Sequence, residues 1–188
     1  MGVVEHTFFL QWFTMNHDVQ WKFYDVGGGT NQRATWIPYF EDINAIIFIA
    51  PISAFDQVLA EDPRVNRLED SFLLWQAVVS NRLFARVGMI LLLNKCDLLQ
   101  AKLDAGVRFN QHVLSYGDRP NDYESVSRYL SNKFRASVRR GDEGRTLFTH
   151  LVALTDTRRK IPPTIIENVR EIVFRSYLKD HIVTTKLV

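Results

Sequence analysis

Three short runs carry side chains suited to binding chemistry. The first is Asn94-Lys95-Cys96-Asp97, directly after the apolar run Met89 to Leu93. A carboxylate only accepts hydrogen bonds, and it pairs most strongly with two parallel N–H donors. One edge of a guanine ring offers two such donors. Asp97 could take both, while Asn94 braces the loop and the Lys95 stem lies over the ring face. Taken alone, the four residues also fit a polar turn between a strand and a helix. The second run is Asp25-Val26-Gly27-Gly28. Glycine lets the backbone approach a phosphate and offer its N–H. The preceding carboxylate, Asp25, can hold the hydration shell of Mg²⁺, a hard cation that keeps several waters. A glycine-rich turn with no ligand fits these residues too. The third is Thr155, in Ala153-Leu154-Thr155-Asp156-Thr157, where a loop could set backbone N–H groups near a base oxygen or simply lead into a helix.

These runs need elements to position them. Phe8, Leu10 and Trp12 alternate within His6 to Thr14, and Val19, Trp21 and Phe23 alternate within Val19 to Val26. With Asn16-His17-Asp18 between them, they read as an antiparallel hairpin. Ala45 to Ala50 and Met89 to Leu93 are continuous apolar runs, as in strands covered on both faces, and Leu147 to Leu154 is a weaker one. Helical spacing links Leu68, Phe72, Trp75 and Val79, then Val126, Leu130, Phe134 and Val138, with Asn121 and Glu124 as a capping box. A last helix is predicted from Thr164, with Ile166, Val169, Val173 and Tyr177 on its apolar face. Strands alternating with helices predict a doubly wound α/β sheet, and both leading motifs fall at strand ends, where such sheets bind ligands.

Composition narrows the classes. The 188 residues are 46% hydrophobic and 23% charged, with a net charge of +2, too small to imply nucleic acid as the main partner. The single cysteine, Cys96, excludes an internal disulfide. The apolar runs are too short to span a bilayer. His6 stands where a myristoylation motif wants Ser or Thr. The expected location is therefore cytoplasmic, or at the inner face of the plasma membrane through partners. The five histidines lack metal-ligand spacing, and nothing suggests an unrelated α/β enzyme.

Together the motifs resemble the alpha subunits of heterotrimeric G proteins. Phe23 to Gly28 resembles that family's third strand and second switch, continued by Trp36-Ile37 and Phe40-Glu41. Ala45-Ile46-Ile47-Phe48 resembles the next strand, and Leu59 to Asp62 with Asn66-Arg67-Leu68 the loop and helix beyond. Leu93 to Leu98 resembles the guanine motif, and Thr149-His150 with Thr155-Asp156-Thr157 the final base-contacting loop. Residues 165–180, ending in Leu178-Lys179-Asp180, look like the C-terminal helix. The resemblance covers nearly the whole chain. It implies one incomplete domain over 1–188, of the P-loop NTPase (Ras-like) type. The sheet would be mostly parallel and N-terminally truncated, with one antiparallel hairpin strand. It implies GTP or GDP with Mg²⁺, a beta-gamma dimer, a seven-helix receptor reached through the C-terminal helix, and an effector met by the second switch. By position, Asn94, Lys95 and Asp97 would read guanine. Asp25 would sit in the outer shell of Mg²⁺, Gly28 would offer its N–H to the terminal phosphate, and Thr155 would lie in the base-contacting loop.

The sequence departs from that family in specific places. No Gly-x-x-x-x-Gly-Lys-[Ser/Thr] occurs in the 188 residues, and Met1 to Glu5 resembles the stretch just after the first switch. The first strand, phosphate loop, helical domain and first switch, with its arginine, have no counterpart here. Gly29 stands where the family has the glutamine that orients the attacking water, so no catalytic residue is assigned. Thr30 replaces a usual arginine. Leu154 takes a small position where it is expected to crowd the base, and the tail 181–188 is longer than the family's. Weak nucleotide binding and impaired GTP hydrolysis are the expectation. The missing first strand would also leave two strand edges unpaired. The alternative is a nucleotide-free interaction module, or a non-functional truncated product, that binds beta-gamma or an effector through the second switch and the helix from Asn66 to Ser80, with Trp36, Phe40 and Phe55 as anchors.

Overall fold

The computed structural model describes residues 3–11, 18–28, 36, 43–138, 145–154 and 162–182. Gly29, Thr30, Phe40 and Thr155 lie outside the described residues, as do most of the hairpin turn and the tail beyond 182. The chain divides into two compact units, Met1–Ile43 and Asn44–Val188.

The first unit is a hairpin. β1 (Val4–Gln11) pairs antiparallel with β2 (Asp18–Asp25), in a register running from Val4 opposite Asp25 to Gln11 opposite Asp18. Strand alternation sorts the side chains by face. His6, Phe8, Trp21 and Phe23 share one side, with Phe8 and Trp21 directly opposite and the Phe8 and Phe23 rings edge-on at 5.8 Å. Such aromatic cross-strand pairs stabilise sheets. The other side carries the Lys22–Glu5 ion pair at 3.7 Å together with the exposed Phe9.

The second unit is a parallel three-stranded sheet with helices on both faces, although Ile47 and Ile49 of its edge strand stay exposed. β3 (Ala45–Pro51), β4 (Gly88–Asn94) and β5 (Leu147–Leu151) run in the order β3-β4-β5. Every residue of the central strand β4 is buried, which accounts for its unbroken apolar run. α1 (Arg67–Ser80) and α3 (Tyr123–Ala136) cover one face. There Trp75 packs its ring 5.1 Å from that of Phe48, and its indole N–H donates to the Phe134 carbonyl at 2.8 Å, joining the two helices. α4 (Pro163–Ile182) covers the other face, where Ile90, Leu92, Val152, Ile165 and Ile172 form one buried cluster. The short α2 (Cys96–Asp104) follows β4 directly. No described helix is long and apolar enough to cross a membrane.

Local chemistry sets the helix ends. The Asn66 carboxamide accepts from Leu68 N and Glu69 N at the start of α1 and donates to the Phe55 carbonyl. The Arg145 guanidinium donates to the carbonyls of Val79 and Phe84, tying the start of β5 to the end of α1. The expected capping box at Asn121 is displaced by one residue. Asp122 is the cap of α3 and accepts from Ser125 N at 2.8 Å, a bond that holds its carboxyl below the usual carboxylate range. Asn121 instead bridges Val107 O and Phe109 N. The last helix begins with Pro163, whose missing N–H is no loss in a first turn. Its buried face is Ile165 and Ile172 with Val169 alongside, whereas Ile166, expected on that face, is 54% exposed.

One contact fixes the register of α4 on the sheet. A Cβ added at Gly88 would lie 2.2 Å from Ile172 Cγ2, so only glycine admits the helix at this depth. Gly88→Ala should lower stability by about 1–3 kcal/mol, the usual cost of overpacking a core. In an Ile172→Ala background that cost should shrink, and urea unfolding midpoints of the four proteins in this cycle check it.

Candidate functional site

The site forms where β4 and β5 end side by side. The last residue of β4, Asn94, is only 7% exposed. Its side-chain oxygen accepts from the Lys95 N–H at 2.8 Å and from the Leu154 N–H, just past β5, at 2.9 Å. Backbone bonds close the same junction: Val152 N–H donates to Leu93 O at 3.0 Å, and Cys96 N–H to Val152 O at 3.1 Å. One buried acceptor therefore stitches two loops that are 60 residues apart in sequence. Sequence reasoning anticipates Asn94 as a brace. It misses Val152 and Leu154 as its partners, because only the parallel β4–β5 pairing brings them there.

The clamp also sets an unusual backbone. Lys95 is the one described non-glycine residue at positive φ, with φ 64° and ψ 38°. This left-handed conformation costs an ordinary residue roughly 1–2 kcal/mol. Two hydrogen bonds hold it there: Lys95 N–H to Asn94, and Leu99 N–H to the Lys95 carbonyl. The sharp turn starts α2 immediately, so Asp97 falls in the first turn of that helix. The helix N-terminus favours a carboxylate at that position. One oxygen of Asp97, Oδ1, is buried and accepts no hydrogen bond from any described residue. A buried acceptor left unmatched costs about 1–3 kcal/mol, so such an atom marks a place where a donor belongs.

Beside this loop lies a concavity of about 280 Å³, lined by Lys95, Leu98 and Lys102 on one side and Ser53, Gln57 and Arg67 on the other. Lys102 fixes that wall. Its ammonium donates to the Ser53 carbonyl at 2.8 Å and pairs with Asp56. Two expectations are corrected here. Phe55 is fully buried and packs on Phe109 with ring centroids 4.9 Å apart, because the 3-10 turn Ile52–Asp56 directs it inward; it is no surface anchor. The Leu154 side chain packs against the Ile90–Ile172 cluster beneath α4, so packing draws it toward the core.

Two further candidate residues, Asp25 and Gly28, belong to the first unit. Asp25 ends β2 and is exposed. Gly28 is exposed, and a Cβ added there would meet nothing within 4 Å, so internal packing does not require glycine at that position. The Trp36 indole N–H donates to the Gly27 carbonyl at 3.0 Å, which commits its polar edge to the loop. Among the described residues, no group of three or more His, Cys, Asp or Glu side chains could hold a metal ion. Asp25 could therefore serve a cation only alongside ligands from elsewhere.

The acceptor clamp yields a direct test. Asn94→Ala leaves two partly buried N–H groups without their partner and should cost about 1–3 kcal/mol of stability. Asn94→Asp keeps an acceptor at the same position and should recover most of that loss. Chemical denaturation of both variants checks the order.

Comparison with known proteins finds that the family model described as G-protein alpha subunit matches residues 1–173. The chain is 39% identical over 188 residues to the guanine nucleotide-binding protein alpha-4 subunit of Mycosarcoma maydis, covering 95% of this chain and 31% of that protein. It is 35% identical over 179 residues to the guanine nucleotide-binding protein subunit alpha-12 of Rattus norvegicus, covering 95% and 44% respectively. Against the alpha-2 subunit of Neurospora crassa it is 33% identical over 156 residues, covering 83% and 42%. The chain thus spans less than half the length of these relatives.

Proposed function

The chain belongs to the G-protein alpha subunit family, and on that premise we propose that its 188 residues supply the base-reading and second-switch parts of a guanine-nucleotide-binding signalling subunit. The observation that supports this reading is the buried, unmatched Asp97 Oδ1 in the first turn of α2, next to the loop held by Asn94. Guanine offers two N–H donors on one edge, and Asp97 would accept both. The Lys95 stem would lie over the ring, and Thr155 would complete the base-contacting loop. Asp25 would bind the water shell of Mg²⁺, and Gly28 would donate its N–H to a terminal phosphate. A bound Mg²⁺ would neutralise phosphate charge; the residues here only orient around it.

The phosphates need more than these residues. No Gly-x-x-x-x-Gly-Lys-[Ser/Thr] run lies within them, so these 188 residues do not offer that cradle of backbone N–H groups. Gly29 has no side chain to orient a water, so GTP hydrolysis should be impaired. A beta-gamma dimer and an effector would meet the second switch, and a seven-helix receptor would meet α4. Gly29 also favours a second reading, an interaction module that binds beta-gamma without nucleotide. A pull-down with a beta-gamma dimer in the presence and absence of GDP separates the two.

Base recognition without a phosphate grip has a measurable signature. Guanosine and GDP should bind these 188 residues with affinities within about tenfold of each other, each several powers of ten weaker than with a full phosphate site. Asp97→Asn should weaken both by about 10- to 100-fold, the loss of one charge-assisted pair worth roughly 1.5–3 kcal/mol. NMR titration of the folded chain reads both ligands. Tight GDP binding that ignores Asp97→Asn would overturn the reading.

A further inference from the structure

The segment between α2 and α3 holds a cluster that the nucleotide reading does not use. Ser115 is exposed on the 3-10 turn Leu114–Tyr116. Its Oγ lies 2.7 Å from the Tyr129 hydroxyl and accepts from Lys133 Nζ at 3.0 Å; Lys133 Nζ also reaches the Tyr129 hydroxyl at 3.4 Å. Arg119 donates to the Tyr116 carbonyl and, at 3.5 Å, to the Ser115 carbonyl. Aromatic faces hold both cations in place. The Arg119 guanidinium stands 5.3 Å from the Tyr129 ring centre, and Lys133 Nζ 5.0 Å from that of Phe72.

Charge balance is what sets the cluster apart. Arg128, on the same helix as Lys133, is paired with Glu124. Neither Lys133 nor Arg119 makes an ion pair with any described carboxylate. One unneutralised ammonium therefore touches the exposed hydroxyl, and a second unneutralised cation, Arg119, is held on the same turn by the Ser115 and Tyr116 carbonyls. Of the nearby acids, Asp122 is engaged by Ser125 through both its N–H and its hydroxyl, and Asp118 is exposed.

We propose that Ser115 is a phosphorylation site whose phosphoryl group is received by Lys133 and Arg119, fastening the 3-10 turn onto α3. Ser115 is the acceptor rather than Tyr129, whose half-buried ring is covered by both cations. The donor is a nucleoside triphosphate delivered by a protein kinase. Ser115 Oγ attacks the γ-phosphorus and forms the new O–P bond. The bond from that phosphorus to the β–γ bridging oxygen breaks, and the nucleoside diphosphate leaves with its electron pair. The hydroxyl proton passes to a carboxylate base of the kinase. The product carries about −1.5 to −2 charge at pH 7 and three strong acceptor oxygens, which suit an ammonium and a guanidinium.

Two arms test the proposal on the whole chain. In the first, the folded chain is incubated with ATP and a eukaryotic cell extract, and the modified positions are mapped by mass spectrometry. Phosphate at residue 115, lost in Ser115→Ala, supports the proposal; phosphate elsewhere but never at 115, or no phosphate at all, overturns it. In the second, phosphoserine is encoded at 115. The melting temperature should rise by roughly 2–6 °C, and the ³¹P titration midpoint should fall at least half a unit below the ordinary value of about 6. Both effects should vanish in Lys133→Met. Effects that persist in Lys133→Met, or no effect in the parent chain, would overturn it.

Discussion

Everything at the candidate site depends on one buried acceptor, the side-chain oxygen of Asn94. It holds the N–H groups of Lys95 and Leu154 together, so the end of β4 and the loop after β5 cannot move independently. Without it, Lys95 would lose a bond that keeps it in the left-handed region, and α2 would lose its starting angle. Asp97 would then lose its fixed aim. The clamp is made entirely of the protein's own groups, so the ordering cost is met during folding, which is the physical content of preorganisation.

The clamp works only because its strands are held firmly. β4 is buried along its length, with the aromatic contacts of Trp75 on one side and the Ile90–Ile172 cluster on the other. Gly88 lets α4 sit against the start of that strand. The Lys102 links to Ser53 and Asp56 bind α2 to the loop after β3. The Asn94–Asp97 loop is therefore pinned from β3, β5 and α2 together.

The central strand, the parallel order and the helical faces of α1 and α3 were legible, because unbroken apolar runs and three-to-four spacing follow directly from burial on two faces or one. What escaped is of another kind. Asn121 and Asp122 both satisfy the local rule for a cap, and Asn121 is withdrawn because Val107 and Phe109 need its amide. Ile165 and Ile166 are equally apolar, and the depth of α4 over Gly88 decides which is buried. Phe55 was read as an interface anchor and Leu154 as crowding the base, whereas packing turns both side chains toward the core. The bracing role of Asn94 was legible from residue type alone. The partner of Asn94, 60 residues away, needed the topology.

The central claim is that the Asn94–Asp97 loop is built before any ligand arrives. Amide hydrogen exchange at Lys95 and Leu154, measured on the nucleotide-free chain, tests it most directly. The account predicts protection at both amides comparable to that of β4, lost at both in Asn94→Ala. Exchange at the rate of an open loop, with protection appearing only once guanosine is added, would contradict it and make the ligand the organiser of the site.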